Sequence, residues 1–104
     1  MFSLDDLART IASRAGADAA QSYTKSLLDK GAAACARKFG EEAIEFIIAT
    51  VVDDKAAVRA EAADVLYHLL VALQARGIAL AEVLAELERR ASRSGLEEKA
   101  ARKS

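Results

Sequence analysis

The sequence predicts an all-α fold of about five helices in a helical bundle, with more apolar face than one chain can cover by itself. Three observations carry the helical reading. Proline is absent from all 104 residues, so no position removes a helical N–H. The chain is rich in Ala, Leu, Glu, Arg and Lys, which favour helix, and only 5% of it is aromatic. Apolar residues recur three and four apart, the spacing of one helical face.

The elements follow in order. Ser3 reads as an N-cap with Asp5 and Asp6 in the first turn, and Leu4, Leu7, Ala8 and Ile11 share a face, which predicts a helix over about 3–15 ending near Gly16. Ser22-Tyr23-Thr24 opens a shorter helix with Tyr23, Leu27 and Leu28 as its apolar positions, stopping at Lys30-Gly31. Ser22 and Thr24 have a plain reading as capping and turn residues. A long helix runs from about Ala32 to Val52 and places Lys38, Glu41, Glu42, Glu45 and Ala49 on one stripe. Gly40 inside it costs roughly 1 kcal/mol against alanine, and close approach of another backbone or a ligand is one reason to keep it.

Asp53-Asp54 breaks that helix and caps the next, over about 55–76. This one is apolar nearly all round from Val65 to Ala75, so it is expected to be central and buried. Gly77 ends it. Ile78 and Leu80 lead into a last amphipathic helix with Val83, Leu84 and Leu87 inward and Glu82, Glu86, Arg89, Arg90 and Arg93 toward water. Residues from about 94 to 104 form a polar tail, expected to be mobile at its end.

The length fits one domain over 1–104. Hydrophobic residues at 53% and charged residues at 30% suit a folded, soluble chain rather than a disordered one. A net charge of −1 gives no reason to expect nucleic acid or a membrane surface as a partner. The single cysteine, Cys35, excludes an intrachain disulfide, fits a reducing cytoplasm and reads as a small buried residue. No apolar stretch is long enough to span a bilayer, and no basic region opens the chain as in a signal peptide. One Cys and one His, His68, cannot build the usual four-ligand zinc site.

The acids carry the chemistry. Lys38-Phe39-Gly40-Glu41-Glu42-Ala43-Ile44-Glu45 holds three carboxylates in five residues, with Glu42 and Glu45 i,i+3 and Glu41 and Glu45 i,i+4. Glu61-Ala62-Ala63-Asp64 repeats the i,i+3 spacing. Taken alone, the first group reads equally well as a solvated face. Glu61 and Asp64 do not, because their stripe runs on through His68 into Val71, Ala72 and Ala75. A carboxylate in an apolar setting must be paired, neutralised or bound to metal. Lys38 and Arg59 are the nearby basic candidates. If the two long helices are antiparallel, Glu45 about eight residues before the turn and Glu61 about seven after it come level. The acids then converge, and a bound Mg²⁺ would relieve their repulsion.

Glu-Glu-x-x-Glu followed by Glu-x-x-Asp resembles the all-α nucleoside triphosphate pyrophosphohydrolase superfamily, which includes MazG-like enzymes and dimeric dUTPases. Ser22-Tyr23-Thr24, Leu27-Leu28, Lys30-Gly31, the Lys38 to Glu45 run, Glu61 through Val71 and Ser94 through Lys99 are similar to the phosphoribosyl-ATP pyrophosphatase family over about residues 1–100. Lys25 departs from that pattern, where a small residue is more usual. The resemblance implies Mg²⁺-dependent hydrolysis of phosphoribosyl-ATP to phosphoribosyl-AMP and pyrophosphate, the second step of histidine biosynthesis. In that family the activity is often fused to a zinc cyclohydrolase; this chain is too short for one and lacks the cysteines and histidines it would need, so a stand-alone pyrophosphatase is expected. The resemblance also implies a homodimer with active sites near the subunit interface. By it, Glu42, Glu45, Glu61 and Asp64 match metal ligands, and Glu41 matches a ligand or an aid to water activation. Lys30 and Lys38 are candidate phosphate contacts, with Ser22 and Thr24 as hydroxyl donors and Ser94 and Lys99 further out. His68 is taken with the substrate-binding residues, beside its plainer reading as a core histidine. The competing readings are a housecleaning pyrophosphohydrolase of deoxynucleotides and a non-enzymatic helical dimerisation module.

Overall fold

The structure, a computed structural model, describes residues 1–52, 54–92 and 95–103. They form α1 (Leu4–Arg14), α2 (Tyr23–Asp29), α3 (Ala32–Val52), α4 (Lys55–Ala75), α5 (Leu80–Ala91) and α6 (Gly95–Lys103). All six are helices, one more than the sequence reading counts. The added one lies in the tail, where Glu97, Lys99, Ala100 and Arg102 are good helix formers. Arg93 and Ser94 lie outside the described residues.

Capping chemistry sets most boundaries. Ser3 Oγ accepts from the Asp6 N–H at 3.1 Å, and the Asp6 carboxylate accepts from the Ser3 N–H at 2.9 Å, a reciprocal capping box. Asp54 Oδ1 accepts from the Ala57 N–H at 3.0 Å and starts α4; Asp53, read with it as the break, lies outside the described residues. At the far end of α4, the Ile78 N–H donates to the Leu73 carbonyl and the Gly77 N–H to the Gln74 carbonyl, both at 3.0 Å. This Schellman closure needs a left-handed residue, and Gly77 supplies it with φ 69°.

α3 and α4 form a long hairpin, and α1 and α2 pack across one end of it. Ile11, Leu27, Cys35, Leu70 and Val71 make the buried core there, backed by Leu7, Leu28, Tyr67 and Leu73. Cys35 is buried as expected, its thiol donating to the Leu27 carbonyl at 3.2 Å. Two short helices cannot cover a hairpin of 21-residue helices, each about 30 Å long. Its remaining apolar surface stays open: Ile44, Ile47, Ile48, Val51 and Val52 on α3, Leu66 and Leu69 on α4. Ile47 is 60% exposed and Val51 78%.

Two expectations are corrected here. α4 is central, touching α1, α2 and α3, yet it is not buried all round, because one of its faces has no covering helix in this chain. α5 turns away from α4 at 111° and buries no residue. Leu84 and Leu87, expected inward, are about half exposed for that reason. The radius of gyration, 15.8 Å, exceeds the ~13 Å of a compact domain this size. Among the described residues no single helix is long and apolar enough to cross a membrane.

Candidate active site

The polar stripe of α3 faces α4 beside the end that α2 covers. Lys38 Nζ lies 3.2 Å from Glu42 Oε1 and 3.7 Å from Glu41 Oε2, its i,i+4 and i,i+3 neighbours. Glu42, Glu45 and Glu61 each bring a carboxylate oxygen within 4.8 Å of the others. Glu42 is only 8% exposed, Glu61 is half-buried and Glu45 opens to solvent. Glu61 Oε2 is buried and accepts no hydrogen bond. Asp64, one turn on from Glu61, is exposed and stands outside that group of three, as does Glu41.

The electrostatics separate the acids. Burial pushes the Glu42 carboxyl up, but hydrogen bonds with Lys38 and Glu45 and the charge of Lys38 outweigh it, and Glu42 titrates below the usual carboxylate value. Glu45 moves the other way, raised first by its hydrogen bond with Glu42 and then by the charge of Glu42. Lys38 is held more firmly protonated, mainly by its hydrogen bond with Glu42. This donor set fits a hard divalent cation. Three carboxylates converge, one buried oxygen lacks a partner among the described residues, and Glu42 and Glu61 hinder the ionisation of Glu45.

His68 is 5% exposed, and burial lowers its pKa, which favours the neutral imidazole. Its Nδ1 is buried without a hydrogen-bond partner. The ring packs edge-on to Tyr67, with centroids 4.9 Å apart. Tyr67 in turn shares a 2.6 Å hydrogen bond with Thr24 Oγ1. Ser22 Oγ accepts from the Lys25 N–H at 3.2 Å and caps α2. Both hydroxyl residues are buried. Lys30, at the exposed C-cap of α2, lines a groove of about 180 Å³ with Arg37, Lys38 and Glu41.

Arg37 and Tyr23 were not among the site residues read from the sequence. The signal for Arg37 is its place seven residues after Lys30 and beside Lys38, which gathers three cations at one groove. For Tyr23 it is an aromatic residue flanked by two small hydroxyl residues at a helix start. Together the groove and the acids set cations and a carboxylate cluster side by side, a charge pattern that suits a metal-bound phosphate chain.

These features suit a hydrolase of phosphoric anhydrides built on an α-helical hairpin. The chain belongs to the phosphoribosyl-ATP pyrophosphohydrolase family, whose model matches residues 4–91. The phosphoribosyl-ATP pyrophosphatase 1 of Bradyrhizobium diazoefficiens is 61% identical over 102 residues, covering 98% of this chain and 96% of its own. The phosphoribosyl-ATP pyrophosphatase of Dinoroseobacter shibae is also 61% identical, over 98% of this chain and 100% of its own. That of Azorhizobium caulinodans is 61% identical over 95% of this chain and 91% of its own.

Proposed function

We propose that this chain hydrolyses phosphoribosyl-ATP, in the presence of Mg²⁺, to phosphoribosyl-AMP and pyrophosphate, the second step of histidine biosynthesis. The observation that carries the proposal is the convergence of Glu42, Glu45 and Glu61 beside Lys38, with Glu61 Oε2 buried and unbonded. Family membership and the names of the relatives support the substrate.

Glu42, Glu45 and Glu61 would hold the Mg²⁺, with Asp64 one turn beyond Glu61 as a fourth carboxylate. When bound, the ion would supply charge neutralisation along the phosphate chain. Lys38 and Lys30 bind phosphate oxygens, and Lys38 also holds Glu42 ionised. Glu41, exposed at the rim, takes a proton from the attacking water. His68 supports the substrate side from α4. Ser22 and Thr24 shape that wall, their hydroxyls fixing α2 and Tyr67. Reactions of this kind depend chiefly on positioning and charge stabilisation, so no covalent nucleophile is needed.

The functional unit in this reading is a cytoplasmic homodimer. The open apolar face of α3 and α4, with Ile44, Ile47, Ile48, Val51, Leu66 and Leu69, is the surface a second copy covers. The decisive assay is pyrophosphate release from phosphoribosyl-ATP, run beside dCTP, dUTP and ATP, with Mg²⁺ and with EDTA. Mg²⁺-dependent release from phosphoribosyl-ATP alone is the expected result. Release from a deoxynucleotide instead would overturn the substrate. No release from any of them would overturn the reaction.

A further inference from the structure

We infer that the exposed ring of Tyr23 is the surface on which the purine base of the substrate stacks, an assignment that rests on the phosphoribosyl-ATP reading above. Ser22 and Thr24, on either side, are 5% and 4% exposed and are held by the helix cap and by Tyr67. Tyr23 between them is 56% exposed. The start of α2 thus anchors two small residues inward and presents an aromatic ring outward.

The ring is also held in orientation. Its plane lies 18° from that of Tyr67, with centroids 6.4 Å apart, and stands perpendicular to His68 at 6.2 Å. Tyr67 is fixed from behind by its 2.6 Å hydrogen bond to Thr24. A pre-oriented aromatic face binds a flat heterocycle without first losing side-chain freedom.

Its position suits the base end of a nucleotide whose phosphates lie at the acids. The Tyr23 ring lies 6.2 Å from His68, which stands one turn beyond Asp64 on the helix that carries Glu61. In the same cluster, His68 Nδ1 is buried with no hydrogen-bond partner, a polar atom that a ligand can complete.

The test compares wild type with Tyr23→Ala and Tyr23→Phe, each checked for unchanged helicity by circular dichroism. With phosphoribosyl-ATP, Tyr23→Ala raises KM about tenfold while kcat stays within about twofold, and Tyr23→Phe keeps the wild-type KM. Direct titration with AMP reads the base without turnover. Tyr23→Ala binds AMP about tenfold more weakly, whereas inorganic pyrophosphate, which has no base, inhibits wild type and variant equally. Equal AMP affinity in the two proteins, no AMP binding in either, or a parallel loss of pyrophosphate inhibition overturns the assignment. Failure of the wild type to hydrolyse phosphoribosyl-ATP overturns the reaction instead, and the AMP titration still decides on Tyr23.

Discussion

Glu45 on α3 and Glu61 on α4 stand level across the hairpin, and with Glu42 their carboxylate oxygens come within 4.8 Å of one another. Like charges this close work against folding unless a cation or a proton intervenes. Mg²⁺ is therefore expected to raise the melting temperature of the wild type, since a ligand that binds only the folded state stabilises it, by about 2.7 kcal/mol at a hundredfold excess over Kd. Glu61→Gln is expected to lose that Mg²⁺-dependent rise and at least about 100-fold in turnover, with its helicity intact. Thermal unfolding with and without EDTA, beside pyrophosphate release, measures both. An undiminished Mg²⁺ shift in the variant would remove Glu61 from the metal site.

Gly40 sits in the interior of α3, and an added Cβ there meets nothing within 4 Å among the described residues. Close approach of the chain's own backbone is thus not the reason for it. Gly40→Ala is expected to stabilise the isolated fold by about 0.5–1 kcal/mol in urea unfolding. A destabilised variant would show that something outside the chain fills the space over Gly40.

Ile47 is 60% exposed on the open face of α3. A surface substitution at such a site ordinarily changes stability by less than about 0.5 kcal/mol. Ile47→Asp places a charge at the centre of the face assigned to a second copy. Sedimentation velocity is expected to show the wild type at twice the chain mass and the variant at the chain mass. A variant that remains dimeric would place the interface elsewhere.

Glu86 on α5 is hydrogen-bonded first by Arg89 and then by Arg90, which lower its pKa from 4.5 to about 2. A folded-state pKa below the ordinary value means that the contribution to stability is fully present above about 4.5 and disappears as pH falls through about 2. The pair is exposed, so the effect is small. Helicity of wild type and Glu86→Gln should differ at neutral pH and converge near pH 2. A constant difference across the range would show that the Arg contacts do not act through the charge of Glu86.

The helices and the register of the acids follow from local signals along the chain. Ser3, Ser22, Asp54 and Gly77 are local signals, because a cap is satisfied by its own next turn, and so α1 to α5 fall close to where the pattern puts them. The meeting of Glu45 and Glu61 was equally legible, since a fixed rise per residue on both arms of a short-turn hairpin makes it a matter of counting. Which apolar faces are covered depends instead on long-range packing. Leu66, Leu69, Leu84 and Leu87 carry the same hydrophobic signal as Leu70, and what separates them is the direction in which α5 departs and the reach of α1 and α2. Likewise Ser22, Tyr23 and Thr24 read as three neighbours at a helix start. That two turn inward while the aromatic one faces water depends on where Tyr67 stands, a residue 43 positions further along the chain from Thr24.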